Sequence, residues 1–344
     1  MTQSGQFDFG NPELLDRRWR IIDLKVFGSA TKKALLATAI LVAFASIAVW
    51  QRHYLLFKVM GTGEPPPLLE ESAERASSRW YADYFIVEGI DARTFAIGEP
   101  LYYQQNFSYL ITGNERAILF DAGPGYRDIR AVAESLTDLP ITFIPSHFHY
   151  DHTGNQITFE HVAVVDLPRL RERAPDNKLA LTWYEHLGSG EGIDAPTLNV
   201  DEWLPIGSEI DLGERSLRVL YTPGHTNDSI SLLDTSSGAI FVGDFIYPGP
   251  LYAFLPNSSM QDYLDGSDNL LRDARSASPL FTAHRDKPPG IPVLSTADVE
   301  DLQRTLISIK NGTTVGEGLY PHVYKVNERI ELLAEPPWLQ DWRD

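Results

Sequence analysis

The chain has 344 residues, 43% apolar and 11% aromatic, enough for a normal core in one large domain or two smaller ones. Its 29 Lys and Arg face 47 Asp and Glu, a formal charge of −18 that argues against a nucleic-acid partner, since phosphate recognition needs clustered basic residues. With no cysteine, disulfides, thiolate metal sites and thiol nucleophiles are excluded, and any metal must be held by His, Asp or Glu.

Residues 34–50, ALLATAILVAFASIAVW, carry no charge over 17 positions and are bounded by Lys32-Lys33 and Gln51-Arg52-His53. At the helical rise they span about 25 Å, within reach of a bilayer core once flanking side chains snorkel. Trp50 and Tyr54 suit an interfacial belt. A core helix of this length would show a polar stripe. A cleaved signal, with Ala43-Phe44-Ala45 as its site, would not need the 31 residues ahead of Lys32. The expectation is a single-pass transmembrane anchor over 32–54 behind a cytoplasmic tail, 1–31. Arg17, Arg18, Arg20, Lys25, Lys32 and Lys33 precede the segment and only Arg52, Lys58 and Arg75 follow it closely, so the bulk of the chain is expected to be periplasmic or otherwise extracytoplasmic.

A linker over 55–78 contains GTGEPPP, flexible and then stiff. LLEESAERASSRWYADYF has spacing compatible with a short helix. FSYLITGN (107–114) and RAILFDAGPG (116–125) read as a hairpin turning at Gly113-Asn114, and DIRAVAESL as a helix. ITFIPSHFHYDH begins as a buried strand and turns polar at Ser146, and HVAVVDL is another strand. LRVLYTPGHT is a strand broken at Pro223-Gly224, and SISLLDTSSGAIFVGDF a hairpin turning at Ser236-Ser237-Gly238. PLFTAH (279–284) reads as a short strand, STADVEDLQRTLISIKNG as a capped helix ended by Gly312, and VYKVNERIELL as a closing strand pair. Such a mixture fits α+β sheets covered by helices.

Chemistry gathers at the strand ends: His147, His149, Asp151 and His152 after one strand, His225 after a second, Asp244 after a third and His284 after a fourth. His147 and His149, two apart in an extended loop, face the same way, leaving Asp151 and His152 for a second centre. Zinc takes about four N or O donors, so seven donors with one shared carboxylate suit two metals about 3.5–4 Å apart. Four desolvation-sensitive groups within six residues need a cation to justify them.

SHFHYDHTGN, TPGHTNDSI, VGDF and TAHR, in that order, resemble the metallo-β-lactamase-fold hydrolase superfamily, and LFDAGPG resembles the strand and turn that precede its metal motif. The likeness covers about 80–330. It implies an αββα sandwich over 79–335, leaving 336–344 as a C-terminal tail. It also implies that His147, His149 and His225 bind one metal, that Asp151, His152 and His284 bind a second, and that Asp244 bridges. Asp121 would be a buried anchor, either steadying a ligand histidine or acting as a plain structural cap. The metals would be two divalent ions, zinc foremost, with iron or manganese tolerated by an all-His/Asp set.

No cysteine ligand is present and the bridging Asp244 is, which makes a β-lactamase the lesser reading. His149 stands where oxygen-reducing diiron relatives carry Glu. The residues are closer to glyoxalase-II-like thioesterases, lactonases and esterases, without a helical glutathione-binding extension. The implied reaction is attack of a metal-bridging hydroxide on a small-molecule ester, thioester or lactone, with Asp151 as the catalytic carboxylate orienting or deprotonating the water. The rival is an iron-dependent sulfur dioxygenase with one metal. Arg285, beside a ligand position, is a candidate either for steadying an anionic substrate or for a surface salt bridge. Tyr247, Tyr252 and Phe254, in a stretch read as an aromatic loop, are candidates for an acyl pocket or, equally, for ordinary core packing. The insert LTWYEHLGSGEG (181–192) is a candidate lid with His186 as a surface residue, and His53, His161 and His322 are read as structural.

Overall fold

This computed structural model describes residues 28–75 and 78–343. The chain divides into two compact units, Met1–Leu56 and Phe57–Asp344. In the first, α1 (Ser29–Trp50) is long and apolar enough to cross a membrane, and none of its residues is buried. Arg17, Arg18, Arg20 and Lys25, on which the orientation argument leans, lie outside the described residues. A second helix, α2 (Arg52–Met60), leads into the second unit.

Among the described residues, the helix expected after the linker does not form. Following Pro65-Pro66-Pro67, the backbone runs irregularly, with Leu69 N–H donating to Leu101 O at 2.8 Å. It then enters β1 (Arg79–Tyr81), which pairs antiparallel with β2 (Phe85–Asp91). Tyr81 and Leu68 gain more by packing on the core than a short solvated helix would return.

The first sheet continues with β3 (Thr94–Gly98), β4 (Phe107–Thr112), β5 (Ala117–Phe120), β6 (Ile141–Ile144) and β7 (His161–Val165). The expected hairpin is β4–β5, and α3 (Ile129–Glu134), capped by Asp128, makes the crossover to the parallel β6. A one-turn helix, α4 (Tyr150–Thr153), links β6 to β7. Helix α5 (Pro168–Arg171) starts on its proline, as that residue's fixed φ favours. Beyond it a small pair, β8 (Lys178–Ala180) with β9 (Thr197–Asn199), frames α6 (Trp183–His186), and β10 (Glu202–Leu204) completes the eight-stranded sheet beside β7.

The second sheet, of six strands, orders β11 (Glu209–Asp211), β12 (Ser216–Tyr221), β13 (Ile230–Asp234), β14 (Ile240–Gly243), β16 (Pro279–Thr282) and β17 (Val293–Ser295). The 244–256 stretch is not the expected loop throughout: β15 (Gly249–Ala253) pairs with β19 (Ile330–Ala334), which is also paired with β18 (His322–Lys325). That three-stranded sheet gives the backbone groups of an apolar segment their partners.

The sheets meet face to face. Tyr109 on β4 lies 5.1 Å from Phe241 on β14 and 5.9 Å from Phe281 on β16, and its hydroxyl donates to Thr282 O at 2.6 Å. A second apolar cluster joins β14 and β16 to the helices α7 (Met260–Asp273) and α8 (Thr296–Lys310). Ser259 caps α7 and a Ser295–Asp298 capping box starts α8. Strand ends of both sheets therefore share one rim.

Candidate metal centre

The rim is assembled from β6, β12, β14 and β16. After β6 the chain makes Pro145-Ser146, presents His147 and His149, then coils into α4, which carries Asp151 and His152. Past β12, the Pro223-Gly224 break ends at His225. Asp244 directly follows β14, and His284 stands two residues beyond β16. Gly243 has φ +52°, and a Cβ there would lie 2.4 Å from Ser146 Oγ, so glycine is what lets β14 approach the histidine loop.

All seven side chains meet. His147 Nε2 lies 2.9 Å from His149 Nδ1, and His225 Nε2 lies 3.0 Å from that same atom. Asp151 Oδ2 is 3.3 Å from His152 Nε2 and 3.4 Å from His284 Nε2. Asp244 sits between the groups. Its Oδ1 is 3.1 Å from His284 Nε2 and 3.4 Å from His152 Nε2, while Oδ2 is 3.6 Å from His225 Nε2.

This packing is costly for the protein alone. His152 Nε2 and Asp244 Oδ1 are buried with no hydrogen-bond partner, although each faces the cluster centre. If His147 Nε2, His149 Nδ1 and His225 Nε2 all turn lone pairs toward one another, they repel unless a positive charge sits among them. Buried polar atoms without partners cost about 1–3 kcal/mol each. Divalent cations would satisfy them, and the donors, imidazole nitrogen and carboxylate oxygen with no sulfur, fit zinc, iron or manganese.

Supporting contacts hold the ring orientations. Asp121 adopts the left-handed region at φ +67° and is 2% exposed. One carboxylate oxygen accepts from Ser146 N–H at 2.6 Å and the other is 2.9 Å from His152 Nδ1, which turns His152 Nε2 toward the cluster. The anchoring contact expected of Asp121 is thus made to His152. Ser146 Oγ meets His147 Nδ1 at 3.0 Å, and Gln104 O meets His284 Nδ1 at 2.9 Å. Asn106 Nδ2 donates to both Asp151 O (3.0 Å) and Asp151 Oδ2 (3.1 Å). Gln104 and Asn106 carry no motif, and only the fold could reveal them.

The charge state splits along the same line. Burial, and then the neighbouring imidazoles, hold His147 and His149 well below the usual histidine pKa, and burial lowers His225. For His152 burial also opposes charge, but Asp151, Asp244 and Asp121 outweigh it and raise its pKa well above the ordinary value. His284 is pushed up to about 10, with Asp244 and Asp151 overcoming burial. The two carboxylates are held well below the usual range, because His152 and His284 outweigh the penalty of burying them.

The other candidates separate. Arg285 is neither at the surface nor open to a substrate. It is 6% exposed and pairs with the buried Glu74, while Nε donates to Gln105 Oε1 at 2.8 Å and Nη1 to Gly290 O at 3.1 Å. Tyr247 is buried with its ring 5.2 Å from His284 and its hydroxyl on Pro250 O at 2.8 Å. Tyr252 and Phe254, 5.9 Å apart, stand on and just after β15, and Phe254 packs on Tyr320. His186 is buried, not at the surface, 6.3 Å from the Tyr150 ring, and burial lowers its pKa to about 4. His53, His161 and His322 take no part in the cluster.

A family profile described as "Metallo-beta-lactamase superfamily" matches residues 102–313. The chain belongs to the metallo-beta-lactamase superfamily. It is 30% identical to a bovine (Bos taurus) acyl-coenzyme A thioesterase MBLAC2, over 56% of this chain and 76% of that protein. It is 32% identical to a hydroxyacylglutathione hydrolase of Bradyrhizobium, over 41% of this chain and 48% of the relative. Among solved structures, a metallo-beta-lactamase from Pontibacter korlensis is 15% identical, with a TM-score of 0.48 over 65% of this chain and 99% of the other. The chain is thus a hydrolase of the metallo-beta-lactamase family, with a mixed α/β fold and the His/Asp clusters that such divalent-metal enzymes use.

Proposed function

We propose that this metallo-beta-lactamase-superfamily chain is a dinuclear metallohydrolase that cleaves a small-molecule thioester, with esters and lactones as related substrates. The observation that carries the reading is Asp244, whose two oxygens face two separate donor groups, Oδ1 toward His152 and His284 and Oδ2 toward His225. The thioester is favoured among acyl substrates by the names of the two relatives above.

His147, His149 and His225 would hold one ion and Asp151, His152 and His284 the other, with Asp244 shared. Two divalent cations held there, zinc foremost, would supply Lewis acidity, lowering the pKa of water toward ~7 and polarising a carbonyl oxygen. Asp121 keeps His152 Nε2 aimed inward by holding the opposite nitrogen. Asn106 fixes the Asp151 carboxylate, which would orient the attacking water or take its proton, the proton then passing to the departing thiolate as the C–S bond breaks. Tyr247, buried with its ring 5.2 Å from His284, packs behind that histidine. Arg285, committed to Glu74, plays no substrate role in this reading.

We further read the catalytic unit as an αββα sandwich over 79–335, tied by a 55–78 linker to a single-pass anchor, with the N-terminus cytoplasmic and the enzyme extracytoplasmic. The unburied apolar α1 and the basic residues ahead of it support this placement. The deciding experiment measures metal content and thioester hydrolysis on the purified full-length chain. Two metals per chain and zinc-supported turnover are expected, while one iron with oxygen uptake would assign a sulfur dioxygenase instead.

A further inference from the structure

The most exposed of the seven clustered side chains, His284, shows only 8% of its surface, and Asp244 shows 6%. Beside the cluster lies the 182–192 segment, comprising α6 and the turn Gly188–Glu191. It delivers one carboxylate, Glu191, into a cage of phenols. Glu191 Oε1 accepts from Tyr150 (2.6 Å), Tyr103 (2.9 Å) and Tyr102 (3.0 Å), and Oε2 accepts from Tyr126 (3.0 Å) and again Tyr102 (3.1 Å). Four phenols from three other chain segments therefore fill the lone-pair sites of a carboxylate that is 8% exposed. Among the described residues no Lys, Arg or His forms an ion pair with it.

We propose that Glu191 is a positioning and specificity-determining residue, the latch that seats the 182–192 segment at the mouth of the metal site and thereby limits the acyl groups admitted. Tyr150 makes the connection, because it stands between His149 and Asp151 in sequence and gives Glu191 its shortest hydrogen bond. A length of 2.6 Å is that of an O–H···O⁻ bond, stronger than a neutral pair. Burial raises the pKa of the Tyr102, Tyr103 and Tyr126 phenols, so they remain donors across the physiological range. The turn is built to move once released: Gly188, Gly190 and Gly192 alternate with Ser189 and Glu191, and left-handed residues, Leu187 (φ +57°) and Gly192 (φ +74°), flank it. Besides the Glu191 cage, the segment is held by an ion pair of Glu185 with Arg173, an edge-to-face contact of Trp183 with Phe57 at 5.4 Å, a hydrogen bond from Gly63 N–H to Gly190 O at 3.0 Å and one from Asn257 Nδ2 to Tyr184 O at 2.9 Å, so the cage is the part of this attachment that lies against Tyr150.

The inference rests on the thioesterase reading for its kinetic arm only. The test uses the full-length, metal-loaded enzyme as wild type, Glu191→Ala and Tyr103→Phe. One arm follows proteolytic nicking within 182–192 by mass spectrometry. Nicking is expected to rise about tenfold in Glu191→Ala and less in Tyr103→Phe, and acetate, refilling the phenol cage, is expected to slow it where chloride does not. The other arm compares kcat/KM for an acetyl and a bulky aryl-acyl ester of one thiol, and the bulky-to-acetyl ratio is expected to rise at least about tenfold in Glu191→Ala. Unchanged nicking, or an equal loss on both substrates, overturns the latch. If Glu191→Ala fails to fold, Tyr103→Phe, which keeps every ring, decides the same question. Wild-type protein that cleaves no thioester refutes the function reading and leaves the nicking arm to judge the latch.

Discussion

Two buried polar clusters lie side by side, joined through Tyr150, and they balance their charges in opposite ways. The Glu191 cage is complete from within, with every acceptor of the carboxylate matched by a phenol. The His/Asp cluster is not, for His152 Nε2 and Asp244 Oδ1 are buried close to one another and to Asp151 and His284 yet make no hydrogen bond. A cluster closed on itself contributes to the fold under any conditions, whereas an incomplete one is held together by a ligand. Residues of the first kind should therefore affect stability whether or not a chelator is present, and those of the second kind only when metal is.

The largest expected effect is that of His149→Ala, which removes the atom on which two imidazole nitrogens converge. Activity should fall about a thousandfold, corresponding to about 4 kcal/mol, with loss of at least one metal per chain by elemental analysis. In excess chelator the variant should melt no lower than the wild type. A lower Tm there would mean that the cluster is self-supporting and the contrast false.

A self-contained cluster elsewhere should do the reverse. Arg215 and Asp234 form a buried pair at 2.8 Å, with Ser236 and Ser237 hydroxyls also on the carboxylate. Although burial opposes it, those partners depress the Asp234 pKa to about 2. The stability this contributes is present above the unfolded value near 4 and is lost as pH falls through about 2. Arg215→Met, which strands the carboxylate, should cost about 3–5 kcal/mol in denaturant melts, equally with and without chelator. Dependence on metal would break the comparison.

Asp121→Asn is the finest probe, because it leaves every metal-facing atom in place and alters only the contact behind His152. Metal affinity or turnover should drop about 10–100-fold, read by competition with a chromogenic chelator. No change would reduce Asp121 to a support for the Ser146 backbone.

Much of this was legible in the chain. H-x-H-x-D-H is a local signal, and β4–β5, β6, β13–β14 and α8 followed from alternation, turn residues and a cap. Where the reading failed, partners distant in sequence had intervened. Trp80 and Tyr81 looked helical by spacing but pair with β2. Tyr252 looked like loop but pairs with β19, about 80 residues on. Arg285 followed a metal-type histidine in sequence, yet its charge is taken by Glu74, more than 200 positions earlier. His186 looked like a surface residue in a polar insert and is buried against Tyr150.

By itself the order of residues determined which donors exist, that sulfur is not among them, and that a 17-residue uncharged run precedes the enzyme, since these depend on composition and on neighbours a few residues apart. Only the folded chain decided that Asp244 turns one oxygen to each triad, that Asn106 grips Asp151, and that Glu191 reaches four tyrosines. Those contacts join positions from 41 to 89 residues apart or stand at the meeting of strand ends from two sheets. Such juxtapositions follow from how twisted sheets pack against each other, a property that no short window of sequence contains.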